Sequence, residues 1–221
     1  MAVTLEEVKK NPLVIDYMEM GNRFIGAIGA IEHNMRHAEL VSSLSYDILK
    51  ALGYPEREAE LAGIAGYLHD IGNLVNRYGH GMSGALIVFE LLLDLGMDPD
   101  EIATVIGAVA HHEEHAGGHP VNSVAAAVIL ADKSDVQKSR VRKSEISSFT
   151  ARDKVNYAAQ HSTLLVDPVK RVITMKLIID TEVCSVMDYF EIFLAKMLMC
   201  KRAAEFLNCR FALIINDIQL L

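Results

Sequence analysis

Apolar residues recur at helical spacing through the first two thirds of the chain. Over residues 34–52 they stand at Leu40, Val41, Leu44, Ile48, Leu49 and Leu52, a period near 3.6 that Gly53 closes. A second stretch begins at about Glu56, behind Pro55, with Leu61, Ile64, Ala65, Leu68 and Ile71, and ends at Gly72. A third is predicted over Gly81–Leu95 with His80 at its start. A fourth, capped by Asp98 with Pro99 behind it, passes Ile102, Val105, Ile106 and Val109 to reach His111-His112, and a fifth follows Pro120 through Val124, Val128, Ile129 and Asp132. Ahead of these, Thr4-Leu5-Glu6-Glu7 has the form of a capping box, and Asn11-Pro12 that of a cap with proline at the first helical position. Two packing helices therefore open the chain, the second with breaks near Gly21 and Gly26 on the way to His33.

The period changes at about Thr150. Residues 154–166 and 170–179 alternate in the manner of strands and are joined by Asp167-Pro168-Val169-Lys170, a turn sequence. Val186, Phe190, Phe193, Met197, Ala204 and Leu207 then mark a long amphipathic helix, and Arg210–Ile218 returns to strand. The fold expected is mainly α: a helical bundle over 1–143, a hinge near 144–150, and a small α+β (ββαβ) C-terminal domain over 150–221. Met187, Met197 and Met199 on its helix read as core or dimer packing. Its edge strands suit pairing with a second copy, so a homodimer is expected.

Composition narrows the class. With 51% apolar and 23% charged residues over 221 positions the chain can bury a substantial core. No apolar run approaches the roughly 20 residues that span a bilayer, and Met1–Lys10 lacks the pattern of a secretory signal; a cytoplasmic protein without a membrane partner is expected. Cys184, Cys200 and Cys209 have no metal-like spacing and read as reduced, buried thiols. A net charge of −8 argues against a nucleic acid polymer as partner, since that needs a basic face. A small phosphorylated molecule is compatible with it, because bound metal supplies local positive charge that the count omits.

The chemistry gathers around Gly66-Tyr67-Leu68-His69-Asp70-Ile71-Gly72-Asn73. Neighbouring helical residues point about 100° apart, so His69 and Asp70 can share a metal only over a helix end, with other segments closing the shell. His37 lies upstream; His80, His111-His112 and Asp132 lie downstream. Imidazole nitrogen with carboxylate oxygen suits Zn, Fe, Mn, Co or Ni, and one carboxylate can bridge two ions.

In this order the set His, His-Asp, His, His-His, Asp resembles the HD superfamily of metal-dependent phosphohydrolases, over about residues 30–140. The resemblance implies a helical bundle in which His37, His69, Asp70 and Asp132 make the basic metal site, His80 and His111-His112 complete a second position, and Asp70 bridges. It implies two divalent transition ions (Fe, Mn, Ni or Co) and a metal-activated hydroxide attacking a phosphoester or phosphoanhydride of a small phosphorylated substrate, a nucleotide first among them. Asp70 and Lys133 are the expected catalytic residues, with Lys133, His115 and His119 candidates for protonating the leaving group. The segment His111–Pro120 is similar to a shortened HD-GYP signature, with Gly-His-Pro for Gly-Tyr-Pro and without the arginine after His-His-Glu. His33, one turn before His37, stands where that branch has a glutamate; a role supporting the centre from beside it, or packing, is preferred for it over a further ligand. Asn73 replaces the lysine that often follows His-Asp-Ile-Gly, and Lys133, Lys138, Arg140, Arg142 and Lys143 are the cations available in its place. The rival readings are a di-iron HD-fold oxygenase and a non-catalytic nucleotide-binding regulatory module.

Overall fold

The structure, a computed structural model, describes residues 2–114 and 118–220. Helix α1 (Leu5–Lys10) starts at the Thr4/Glu7 capping box, and α2 (Pro12–Ala27) starts where the Asn11 side chain accepts from the amides of Leu13 and Val14. Contrary to expectation α2 does not break at Gly21. That residue lies against the short 3-10 turn Ile71–Leu74, where a Cβ would come within 3.0 Å of the Leu74 amide nitrogen. Its glycine permits close approach between two segments, not a bend in one.

Helices α3 (Met35–Ala51), α4 (Glu56–Leu68), α5 (His80–Asp94), α6 (Pro99–His111) and α7 (Ser123–Ser134) follow the predicted periods to within a few residues. Side chains of Asn34, Asp98 and Asn122 cap α3, α6 and α7. Packing of α3 on α4 is close at Gly66, whose Cβ would lie 2.9 Å from the Val41 carbonyl. Every residue of α7 from Val124 to Ala131 is fully buried, which makes it the central helix, wrapped by the others. Such a helix shows little amphipathic contrast because all its faces are apolar.

The C-terminal part differs from its expected ββαβ order at two places. Residues 154–158 are not strand but belong to helix α8 (Ala151–Ala158); Thr150 and Asp153 form a reciprocal capping box that nucleates it. Strand β1 (Ala159–Asp167) begins only afterwards and pairs antiparallel with β2 (Val172–Ile179). Helix α9 (Val186–Phe206) crosses over to β3 (Arg210–Ile215), parallel to β2. The final stretch is not one strand, because Asn216 and Asp217 adopt φ values of 49° and 63° and turn the chain back as β4 (Ile218–Gln219). Asn and Asp tolerate this left-handed region and suit a two-residue hairpin. The result is a mostly helical chain with a small sheet in the order β1-β2-β3-β4.

Helix α9 packs against both α7 and β3, so buried apolar residues run without interruption from α1 to β3. All three cysteines are buried and unpaired. No helix among the described residues is long and apolar enough to cross a membrane.

Candidate metal centre

Five helix ends converge on one buried point. His37 stands in the first turn of α3, its amide held by the Asn34 cap, and His80 is the first residue of α5. His69 and Asp70 follow the last turn of α4, His112 follows α6, and Asp132 lies in the last turn of α7. The C-terminal ends of three helices thus face the same place, a field that favours a cation. His37, His69, Asp70, His80, His112 and Asp132 are all buried.

The histidine rings are oriented by their outer nitrogens. Nδ1 of His69, His80 and His112 lies 2.8, 2.9 and 2.7 Å from the carbonyl oxygens of Gly66, Arg77 and Val109. Nδ1 of His37 lies 2.7 Å from Oδ2 of Asp135. These oxygens only accept, so each Nδ1 carries the proton and each Nε2 turns a lone pair inward. Nε2 of His37 then sits 3.2 Å from Nε2 of His69, and Nε2 of His80 sits 3.0 Å from that of His112. Two lone pairs at such separations repel unless a cation lies between them.

Asp70 serves both pairs. Its Oδ2 is 3.4 Å from His37 Nε2 and 3.2 Å from His69 Nε2; its Oδ1 is 3.2 Å from His80 Nε2 and 3.9 Å from His112 Nε2. Oδ2 is buried with no hydrogen-bond partner among the described residues. Asp132 Oδ1 approaches His37 and His69 at 3.4 and 3.7 Å. Three overlapping ligand groups result: His37/His69/Asp70, His69/His112/Asp132 and Asp70/His80/His112. The orphaned carboxylate oxygen and the facing lone pairs fit divalent metal; in the metal-free chain, protons take its place. Burial and the Arg140 charge push His37 down, but hydrogen bonds to Asp132, Asp135 and Asp70 outweigh them and hold it at about 9. His80 likewise reaches about 9 against burial, through Asp70 and Glu113. His112 is pushed down to about 3 by burial and by the neighbouring His80 and His69, so its lone pair stays available.

Other expected residues fall outside the cluster. His111, expected as a ligand beside His112, is exposed; a single step along the helix end carries it to the outer face. His119 is exposed as well, and His115 lies outside the described residues. Lys133 is buried between Asp132 Oδ2 at 2.6 Å and Glu114 Oε2 at 2.9 Å. Although burial opposes it, these two carboxylates hold its ammonium above the usual lysine range, which makes it a lasting charge and a poor proton donor. Lys138 sits over the Tyr157 ring, Arg142 binds Ala30 and Asn22, and Lys143 binds Asp153.

Four further residues bear on the centre. His33 is buried, with Nε2 3.9 Å from Asp70 Oδ2, which is the position beside the centre that was one of the two roles expected of it. Asp135 orients His37 and is itself gripped by Arg36 at 2.8 Å. Glu113 accepts from the amides of Gly79 and Gly81 and approaches His80 Nδ1, at 3.2, 3.3 and 3.4 Å. Arg77 stands near Asp70, its Nη1 3.2 Å from Asn73 Oδ1, so the asparagine in the lysine's place holds an arginine instead. Acidic residues just past a helix end would have been the signal for Asp135 and Glu113. The centre opens into a cavity of about 290 Å³.

Comparison with known proteins agrees with this geometry. A family model described as HD domain matches residues 34–137, the span that holds all six converging side chains. The chain therefore carries an HD domain, of a family whose members are generally metal-dependent phosphohydrolases and hold divalent metal on His and Asp side chains. It is also 26% identical over 159 residues to the uncharacterized protein MJ1020 of Methanocaldococcus jannaschii, covering 62% of this chain and 61% of that relative's length.

Proposed function

We propose that the protein is a hydrolase of phosphoester or phosphoanhydride bonds in a small phosphorylated molecule, a nucleotide being the first class to test, and that it works with two divalent transition ions such as Fe, Mn, Ni or Co. The observation that carries this reading is Asp70, whose two oxygens face two separate pairs of inward lone pairs. His37, His69 and Asp132 would hold one ion and His80 and His112 the other, with Asp70 giving one oxygen to each. Bound there, such ions polarise phosphoryl oxygens and bring the pKa of a coordinated water toward neutrality.

The chain's own residues then have distinct tasks. Asp135, Gly66, Arg77 and Val109 fix the tautomer and tilt of the four rings, which keeps each Nε2 a ligand and not a donor. Lys133 neutralises Asp132 and holds positive charge against the cavity floor. Arg77 lines the same cavity, and its forked donors suit phosphoryl oxygens, where negative charge builds during transfer. Asp70 and Lys133 remain the residues on which turnover is expected to depend most.

The test is a phosphate-release screen over nucleotides and other phosphoesters with protein loaded with Mn²⁺, Fe²⁺, Ni²⁺ or Co²⁺, alongside elemental analysis. Metal-dependent release that disappears in Asp70→Ala together with the bound metal supports the reading. Tight nucleotide binding by metal-loaded protein without turnover would replace it with a binding module, and oxygen consumption would replace it with an oxygenase.

A further inference from the structure

One wall of the cavity comes from outside the HD domain. The start of α8 contributes Thr150, Arg152 and Asp153, and α9 contributes Lys196. The carboxylates nearby are engaged. Asp153 accepts from the amide and hydroxyl of Thr150 at 2.9 and 2.8 Å and from Lys143 at 2.7 Å; Glu114 binds Lys133 at 2.9 Å. Arg140, which also lines the cavity, spends its donors on the carbonyls of Glu32 and Asp135 at 3.0 and 2.9 Å.

Arg152 and Lys196 are committed far less. Arg152 only approaches Glu114, at 3.7 Å, beyond hydrogen-bond length. Lys196 has its ammonium 4.5 Å from the Phe193 ring centroid and no ion pair among the described residues. Lys133 and Arg152 stand 2.9 and 3.7 Å from Glu114, the field of Lys196 reaches it as well, and Lys133 is shared with Asp132; three cations therefore face two carboxylates, an excess of positive charge on a partly desolvated wall. Burial first, and then Lys133 and Arg152, push the Lys196 ammonium down to about 8 despite Glu114, the behaviour of a cation short of an anion.

We propose that Arg152 and Lys196 form an anion subsite for a second phosphoryl group of the substrate, one that is bound but not cleaved. The inference rests on the phosphohydrolase reading and narrows its substrate to a compact, doubly phosphorylated molecule, since a cavity of about 290 Å³ lies at the small end of ligand sites. An arginine fork and a lysine point charge are complementary means of holding phosphate. Binding at the remote group can be used to position the reacting one. The C-terminal elements would then set specificity while the HD domain supplies the chemistry.

Two probes of one skeleton test this: propane-1,3-diphosphonate and propylphosphonate, titrated calorimetrically into Mn²⁺-loaded full-length protein. The wild type is expected to bind the diphosphonate at least tenfold more tightly. In Lys196→Gln and Arg152→Gln that preference should shrink to within about twofold, with the monophosphonate affinity, Mn²⁺ stoichiometry and melting temperature unchanged. Lys201→Gln, also on α9 but exposed and facing Glu205, controls for loss of charge in general and should keep the full preference. Equal binding of both probes by the wild type, or a preference that survives in both variants, overturns the subsite. Either result leaves the hydrolase reading standing if phosphate release persists, whereas absence of release from every phosphoester overturns that reading by itself.

Discussion

A carboxylate oxygen buried without a donor, as Asp70 Oδ2 is, is destabilising unless a cation neutralises it. Asp70→Asn keeps the size of the side chain but removes the charge that both histidine pairs share. It is expected to fold and to lose most bound metal and at least about 10³-fold in turnover, on the scale of removing a main electrostatic group from an active site; elemental analysis of the purified variant checks it, and full metal content would place the ions elsewhere. Asp135 acts one step further out. Asp135→Asn weakens the acceptor that orients His37 and should lower metal affinity about 10- to 100-fold, measured by competition with a chromophoric chelator. The convergence of His37, His69, Asp70, His80, His112 and Asp132 was legible because their residue types and order are specific, yet three details were not. His111 and His112 are neighbours at a helix end, and only the fold decides which turns inward. His33 precedes the first helical residue of α3, so its spacing of one turn from His37 brought it near the centre without deciding whether it meets Asp70. Asp135 lies just past the end of α7, a position that could have marked it, but its partner His37 comes from α3 and only the fold brings the two together.

Elements bring these side chains together through a few glycine contacts. A Cβ on Gly72 would lie 1.9 Å from the His80 carbonyl oxygen and 2.5 Å from the Gly84 amide nitrogen, so α5 can seat His80 beside Asp70 only if residue 72 has no side chain. Gly72→Ala must push α5 away. Overpacking of this kind costs about 3 kcal/mol or more, roughly 6–12 °C in melting temperature for a chain of this size, and the ion proposed to bind through His80 and His112 should be lost before the fold is. Calorimetric melting with metal analysis measures both; an unchanged melting temperature would mean that α5 is free to shift. At α8 the sequence misled because Val155, Tyr157 and Ala159 alternate like a strand, while the Thr150/Asp153 capping box satisfies the amides that a strand would pair elsewhere. Thr150→Ala should cost about 1 kcal/mol, near 3 °C. Because Arg152 stands in the first turn of that helix, the same variant should also loosen diphosphonate binding, whereas Mn²⁺ binding should not change. The bundle helices were legible for the opposite reason, since apolar periods agree with the Asn34 and Asp98 caps of α3 and α6 and with Gly53 closing α3.

For the whole molecule, the metal centre couples stability to pH. His37 and His80 are held at about 9 in the folded chain against an ordinary value of about 6.5. Their contribution is therefore complete below 6.5 and is lost as pH rises through 9. His33, which burial drives well below its ordinary value despite Asp70, and His112, at about 3, act with the opposite sign: below 6.5 the unfolded chain takes up protons that the folded one refuses, and stability falls. The metal-free protein should accordingly be most stable near pH 6.5–7 and weaken on both sides. A metal bound on the proposed ligands would replace the protons on His37 and His80, so its binding would strengthen as they leave, and the loaded protein should keep its stability through the alkaline range. Melting curves of chelator-treated and Mn²⁺-loaded protein from pH 5 to 10 test this directly. The difference in melting temperature should widen between pH 6.5 and 9, and parallel curves would mean that metal and protons do not compete for His37 and His80.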